Sequence, residues 1–492
     1  MTDRAQPTKW LDFVAVFAVA LAARLSVVLW AGSDFVPTAD GHFYDVVARR
    51  IAGGHGYTWL WPDGAVTYAA HYPVGYSALL APWYWLFGEH PGCAWLLNAT
   101  LHLSATWAIG SFFTQRHART IALLAYSLHP ALFFYTPALM TEAVTGDLWV
   151  LAIAALRGTG WRRVLVAGLL LGVATLVRPQ SIVVAAGLAC GALWWRLAPR
   201  WWAAALVAIP LVVCAPWTAR NCVRMQQCAL VSVNGGWNLL IGASTESGAW
   251  EALTVPDECR EVWDEAAKDR CFGAAARHRI REEPLRWLAR APAKLSATFD
   301  YFGAAPYTLH ESNPAIVGER GKLVLGVVET VWQRALWIAL ALGMLWRGRR
   351  SRARGLMVLG AIALAASLTR HTAAVAVLAS VVAALAWPPR RSWPWLACAV
   401  VQGSTLLMHA AFFGGGRYGL VVVPWVVFAA VGNWTAHGAS DDAETLHGSS
   451  INPAKGGAPR RSRSATGSSP SAGNKRKDSS SGWRSVNASC MP

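Results

Sequence analysis

"LDFVAVFAVALAARLSVVLWAGSDFVPTADGHFYDVVARRIAGGHGYTW", Leu11 to Trp59, decides how the chain is read. Its first part, Leu11–Ala31, is an almost unbroken apolar run, long enough as a helix to cross a hydrocarbon core of about 30 Å. Directly after it come Asp40, His42, Asp45, Arg49, Arg50 and His55 on a Gly-rich background, where a membrane helix would emerge into water. Apolar runs of roughly 20 residues then recur as far as Val431. The chain has 492 residues, 54% of them hydrophobic and only 14% charged, so hydropathy overrides the several soluble domains that length alone would suggest. The reading is an all-α polytopic membrane protein with about 12 transmembrane helices.

The formal net charge of +17 does not indicate nucleic acid. The cations fall in short loops between apolar runs, as the positive-inside rule describes, and no continuous basic stripe is visible. With Arg4 and Lys9 in the cytoplasm, the inward loops before the tail carry sixteen Lys and Arg. The short outward segments carry five: Arg49, Arg50, Arg178, Arg370 and Arg417. Both termini are therefore expected in the cytoplasm, in a cytoplasmic (inner or plasma) membrane. Arg24 inside the first run, and the lack of a small-x-small cleavage site, favour a retained signal anchor over a removed signal peptide. Arg24 is expected to snorkel towards the outer surface.

The expected layout is a cytoplasmic N-terminus at 1–10 and a membrane core at 11–220 holding a first extracytoplasmic loop, 32–91. A large extracytoplasmic segment at 221–320, C-terminal helices at 321–435 and a disordered basic tail at 436–492 follow. One helix is expected over 120–136. The run Tyr76–Phe87, too short to span, is expected to lie along the interface. Cys222, Cys228, Cys259 and Cys271 all fall in the large outward segment, and near neighbours make the pairs Cys222–Cys228 and Cys259–Cys271. A straight helix would hold the second pair about 18 Å apart, so that bond needs the chain to bend back. A metal site is the rival reading, with no CxxC or HxxxH spacing to support it.

In this topology the notable polar residues gather on the outer side: Asp40, His42 and His71 in the first loop, Glu142 in the second, and Arg178 and Arg417 at helix ends. A carboxylate there can stay ionised yet take a proton. Few acids among several cations suit displacement of a phosphate from an anomeric carbon, because such a leaving group needs no second carboxyl to protonate it. Each residue also has a plainer role. Asp40 and Glu142 would serve as helix caps, and Arg178 and Arg417 as headgroup anchors. A transporter would place ionisable groups near mid-membrane on broken helices, and the sequence shows neither.

The order of motifs resembles the GT-C type, polyprenyl-phosphate-dependent glycosyltransferases, including protein mannosyltransferases of glycosyltransferase family 39 and lipid A aminoarabinose transferases. The matching stretches are "ADGHFYDVVARRIAGGHGYTW", "HYPVGYSALLAPWYWLFG", "LHPALFFYTPALMTEAV", "LLLGVATLVRP", "APWTARN", "NGGWNLLIGAS", "EEPLRWLARAPAKL" and "GGGRYGLVVVPWVVFAA". The resemblance implies inverting transfer of a sugar from a polyprenyl-phosphate carrier to a glycan, lipid or protein acceptor hydroxyl on the extracytoplasmic face. It implies Asp40 as base, Glu142 as a supporting acid, and His71, Arg178 and Arg417 around the lipid phosphate. Tyr44, Tyr72 and His42 are further candidates for the site lining. A divalent cation is left open, since Gly41 follows Asp40 where many relatives carry a second acid. The competing readings are a lipid-linked oligosaccharide flippase or polymerase, and a non-catalytic scaffold of the cell envelope.

Overall fold

The computed structural model describes residues 8–31, 35–158 and 160–435. The expected disordered tail, 436–492, and the N-terminal residues 1–7 with Arg4 lie outside the described residues. The chain opens with α1 (Thr8–Ala31) and α2 (Asp40–Ala52), then an antiparallel hairpin of β1 (Thr58–Leu60) and β2 (Val66–Tyr68), and α3 (Val74–Phe87). There follow α4 (Cys93–Gly110), α5 (Arg116–Ser127), α6 (Pro130–Phe134), α7 (Glu142–Leu156), α8 (Trp161–Val177), α9 (Ser181–Trp195) and α10 (Arg200–Arg224). The hydrophilic segment folds as α11 (Gly235–Ser244), α12 (Glu265–Glu282), α13 (Pro284–Ala289), α14 (Ala291–Phe299) and α15 (Ala304–Ser312). Five more helices complete the described residues: α16 (Glu319–Arg350), α17 (Arg354–Leu368), α18 (Ala373–Ala386), α19 (Trp393–Ala411) and α20 (Val423–Thr435).

Among the described residues four helical segments, Phe13–Ala31, Arg200–Arg224, Glu319–Arg350 and Gly416–Thr435, are long and apolar enough to cross a membrane. Length and composition thus identify four of the expected crossings; α9, α17 and α18 are apolar but shorter. The segment Gly416–Thr435 stands apart, because every residue from Tyr418 to Val431 is buried. A helix that is apolar all round packs on all sides, and this one is the centre of the bundle.

Three features depart from the sequence reading. The fold is not purely helical, since the first loop contains the β1–β2 hairpin. The helix expected over 120–136 breaks after Ser127, with His129 extended (φ −63°, ψ 118°) before Pro130. Proline disfavours the α conformation in the residue before it, which accounts for the break. Finally, Arg24 does not snorkel. It is 1% exposed and donates from Nη1 to the carbonyls of Ala20 and Ser127, each at 3.0 Å.

The break exposes Ser127's carbonyl, and a buried cation satisfies it. Nearby, Asp147 Oδ1 accepts from the Tyr126 hydroxyl at 2.5 Å and lies 3.1 Å from His102 Nδ1. His129 Nε2 meets Gln333 Oε1 at 2.9 Å, and Glu329 is fully buried. Ionisable side chains and a broken helix therefore do occur inside the bundle, and the sequence argument from their absence is overturned.

In the hydrophilic segment, Cys222 bonds Cys228 at the end of α10, and Cys259 bonds Cys271. The second pair has Cα atoms 5.8 Å apart because α12 starts only at Glu265, so Cys259 lies on a separate turn that folds back against it.

One backbone position ahead of α2 is strained. Ala39 sits at φ 48°, ψ −125° in a turn closed by Gly41 N–H donating to Thr38 O at 2.9 Å. That conformation suits glycine, and a side chain there costs on the order of 1–3 kcal/mol. Ala39→Gly should raise the thermal midpoint in detergent by an amount worth about 1 kcal/mol, and Ala39→Val should lower it. A drop with glycine would contradict the assigned turn.

Candidate functional site

The site forms where the central segment Gly416–Thr435 begins. Gly416 lets the chain pass tightly against the stretch that follows α14, since a Cβ there would run into the Tyr301 carbonyl oxygen. The next residue is Arg417. Its Nη1 lies 2.7 Å from Asp40 Oδ2, its Nε 3.5 Å from Glu142 Oε1, and its Nη2 donates to the Tyr418 hydroxyl at 3.0 Å. A single guanidinium thus bridges two carboxylates from α2 and α7.

Each partner is delivered by a local feature. Asp40 is the first residue of α2, yet it does not cap it; the N-cap is Ala39, with no side-chain capping bond. Asp40 instead turns outwards, and its Oδ1 accepts from the Tyr72 hydroxyl at 2.8 Å. Glu142 likewise opens α7 without capping it, and its Oε1 accepts from Arg178 Nη1 at 3.0 Å. Arg178 ends α8, where Gly75 of α3 packs so closely that a Cβ would overlap the backbone of Leu176 and Val177. The Tyr418 ring is shared by the two cations, with the guanidinium carbons of Arg178 and Arg417 at 4.9 and 5.0 Å from its centroid.

These groups line an open cavity of about 300 Å³ that also takes in Tyr44, Tyr72 and His71. Burial pushes the Asp40 carboxyl up, but the Arg417 charge and the Tyr72 hydroxyl outweigh it and hold the group below its ordinary 3.8. Burial pushes the His71 imidazole below its ordinary 6.5, with the Asp40 charge only partly opposing, so the ring is neutral at pH 7. His71 presents its ring edge-on to Tyr72 at 4.9 Å and to Trp237 at 6.0 Å. Glu142 Oε2 is buried with no hydrogen-bond partner among the described residues.

Seven of the eight residues expected to form or line the site therefore share one cavity: Asp40, Tyr44, His71, Tyr72, Glu142, Arg178 and Arg417. His42 does not join them. Two residues from both Asp40 and Tyr44 on α2, it points to another face, exposed and edge-on to Trp59 at 6.0 Å. The sequence reading did not single out Gln180, Asn234, Trp237, Asn238, Trp250 or Tyr418, which also line the cavity. The motifs "NGGWN" and "GGGRYG" contain four of them, but nothing in their spacing marks a wall of a cavity.

The donor set does not suit a resident divalent cation. Both acids already face guanidinium groups, and among the described residues no three His, Cys, Asp or Glu side chains come together as a metal site would require.

No protein-family model matches the chain, and no curated protein matches it. Among solved structures, it is similar to the archaeal oligosaccharyltransferase AglB from Archaeoglobus fulgidus in complex with an inhibitory peptide and a dolichol-phosphate. That likeness has a TM-score of 0.42 and 13% identity over 92% of this chain and 53% of that one. It is also similar to ArnT from Cupriavidus metallidurans bound to undecaprenyl phosphate, with a TM-score of 0.39 and 16% identity over 90% and 81% of the two chains. The chain spans about half the length of the oligosaccharyltransferase.

Removing Arg417 leaves two carboxylates facing each other without their shared cation. Arg417→Met should cost about 2 kcal/mol, below the range for a fully buried pair because the Asp40 side chain is 23% exposed. Adding Asp40→Asn should recover part of that loss in thermal unfolding. The Asp40–Arg417 contribution is present above pH 3.8 and is lost as pH falls through the lower folded value, so Asp40→Asn should flatten the wild-type decline in that acid window.

Proposed function

We propose that the chain is a membrane-embedded inverting glycosyltransferase that moves a sugar from a polyprenyl-phosphate carrier to an acceptor hydroxyl on the extracytoplasmic face. The observation that carries this reading is Arg417 joined to both Asp40 and Glu142 in one open cavity, with Arg178 and His71 beside it. Such a site offers a base and an anion cradle within one side chain's reach of each other.

Without substrate, Asp40 is a poor base because Arg417 stabilises its charge. A carrier phosphate entering the cavity competes for Arg417 and Arg178 and weakens the hold on Asp40. The carboxyl then rises towards a value at which it can accept a proton. The acceptor hydroxyl gives its proton to Asp40 while its oxygen bonds the anomeric carbon. The bond from that carbon to the phosphate oxygen breaks, and its electron pair leaves with the phosphate, held by the guanidiniums. One displacement inverts the centre.

The remaining groups suit orientation. The neutral His71 offers an N–H rather than a charge to a phosphate oxygen, and the unpartnered Glu142 Oε2 is placed to accept from a sugar hydroxyl. Trp237 and Trp250 supply flat faces against which a sugar ring can pack.

Asp40→Asn should lower release of radiolabelled sugar from its polyprenyl-phosphate carrier in membranes by about 10²–10⁴-fold while leaving expression intact. Arg178→Met should mainly raise the KM for the carrier. Normal turnover by a folded Asp40→Asn would remove the base assignment. Absence of sugar release by the wild type would instead favour a protein that handles the carrier without this transfer.

A further inference from the structure

We infer that Glu265, at the start of α12 in the hydrophilic segment, is a positioning residue that sets His71 in the cavity, and that Asp269 one turn later does the same for Trp237 opposite. This rests on the reading of the cavity as a polyprenyl-phosphate site.

His71 and Tyr72 sit on a stretch with no secondary structure of its own, between β2 and α3. Its backbone is held almost entirely from outside. Glu265 Oε2 accepts from the N–H groups of both Ala70 (2.7 Å) and His71 (3.1 Å). Ala70 O accepts from Val233 N–H at 2.8 Å, and Ala69 O accepts from Arg220 Nη1 at 2.9 Å. A carboxylate receiving two backbone N–H groups makes strong, charge-assisted bonds, here in a largely buried setting. Losing it would leave two donors unsatisfied beside the cavity.

Glu265 is free for this task because its neighbour does the local work: Asp264 Oδ1 caps α12 by accepting from Ala267 N–H at 2.7 Å. Four residues on, and so on the same face of the helix, Asp269 Oδ1 accepts from Trp237 N–H at 2.9 Å. The two residues pinned in this way are the pair whose rings meet at 6.0 Å across the cavity wall. α12 is in turn fastened by the Cys259–Cys271 bond. The hydrophilic segment thereby sets the width of the cavity at the membrane boundary.

The test is binding of undecaprenyl phosphate to the purified full-length protein, with thermal midpoints recorded to confirm folding. Glu265→Leu should weaken binding about tenfold, whereas Glu265→Gln, whose carbonyl still accepts both N–H groups, should stay within twofold. Glu265→Asp keeps a good helix-start residue but falls one methylene short, so it should weaken binding as leucine does even if the leucine variant does not fold. In a His71→Ala background, Glu265→Asp should cost less than twofold, because the residue it positions is gone. Wild-type affinity in Glu265→Asp, equal losses in Glu265→Gln and Glu265→Asp, or full additivity with His71→Ala would each overturn the inference. Absence of saturable carrier binding by the wild type would instead overturn the underlying reading of the cavity.

Discussion

A guanidinium at the tip of a buried helix governs this site. Arg417 cannot retreat, because the residues after it, Tyr418 to Val431, are packed on every side by the rest of the bundle. Asp40 and Glu142 come to it from the starts of two other helices, and neither spends its carboxylate on capping its own helix. The caps that a lone sequence position would suggest are given up. The acids face the cavity instead, where a cation offsets the cost of removing them from water.

That arrangement also explains why the neighbours are what they are. Two positive groups held within 5.0 Å of the centroid of one phenol ring would repel each other without the acids beside them. With both acids present the cluster is close to neutral, so an incoming anion rearranges existing pairings rather than entering a bare positive pocket. His71 fits this logic as a neutral hydrogen-bond donor. The hydrophilic segment then acts as scaffold, with α12 acids reaching back to the chain that carries His71.

Much of this was legible in the sequence, for identifiable reasons. Charge asymmetry in short loops and recurring apolar runs put Asp40, Glu142, His71, Arg178 and Arg417 at one side, and the structure brings those five into one cavity. The break at His129–Pro130 is also written in the sequence, though the apolar run across it hid the signal. Other features leave no pattern. Hydropathy does not say which way Arg24 faces, and its partner is a carbonyl freed by a helix break elsewhere in the chain. His42 was grouped with Asp40 by proximity, but helical geometry separates residues two apart. Glu265 and Asp269 look like ordinary charges on a polar helix, since their partners are backbone N–H groups that carry no residue identity.

The most direct measurement is thiol labelling of Asp40→Cys in sealed membrane vesicles of known orientation, in a background lacking Cys93, Cys190, Cys214, Cys398 and Cys490, with a reagent that does not cross the bilayer. The expected result is labelling from the extracytoplasmic side alone, slowed by added undecaprenyl phosphate. Labelling from the cytoplasmic side, or a rate that ignores the carrier at saturation, would contradict a cavity that faces outwards and holds the lipid phosphate.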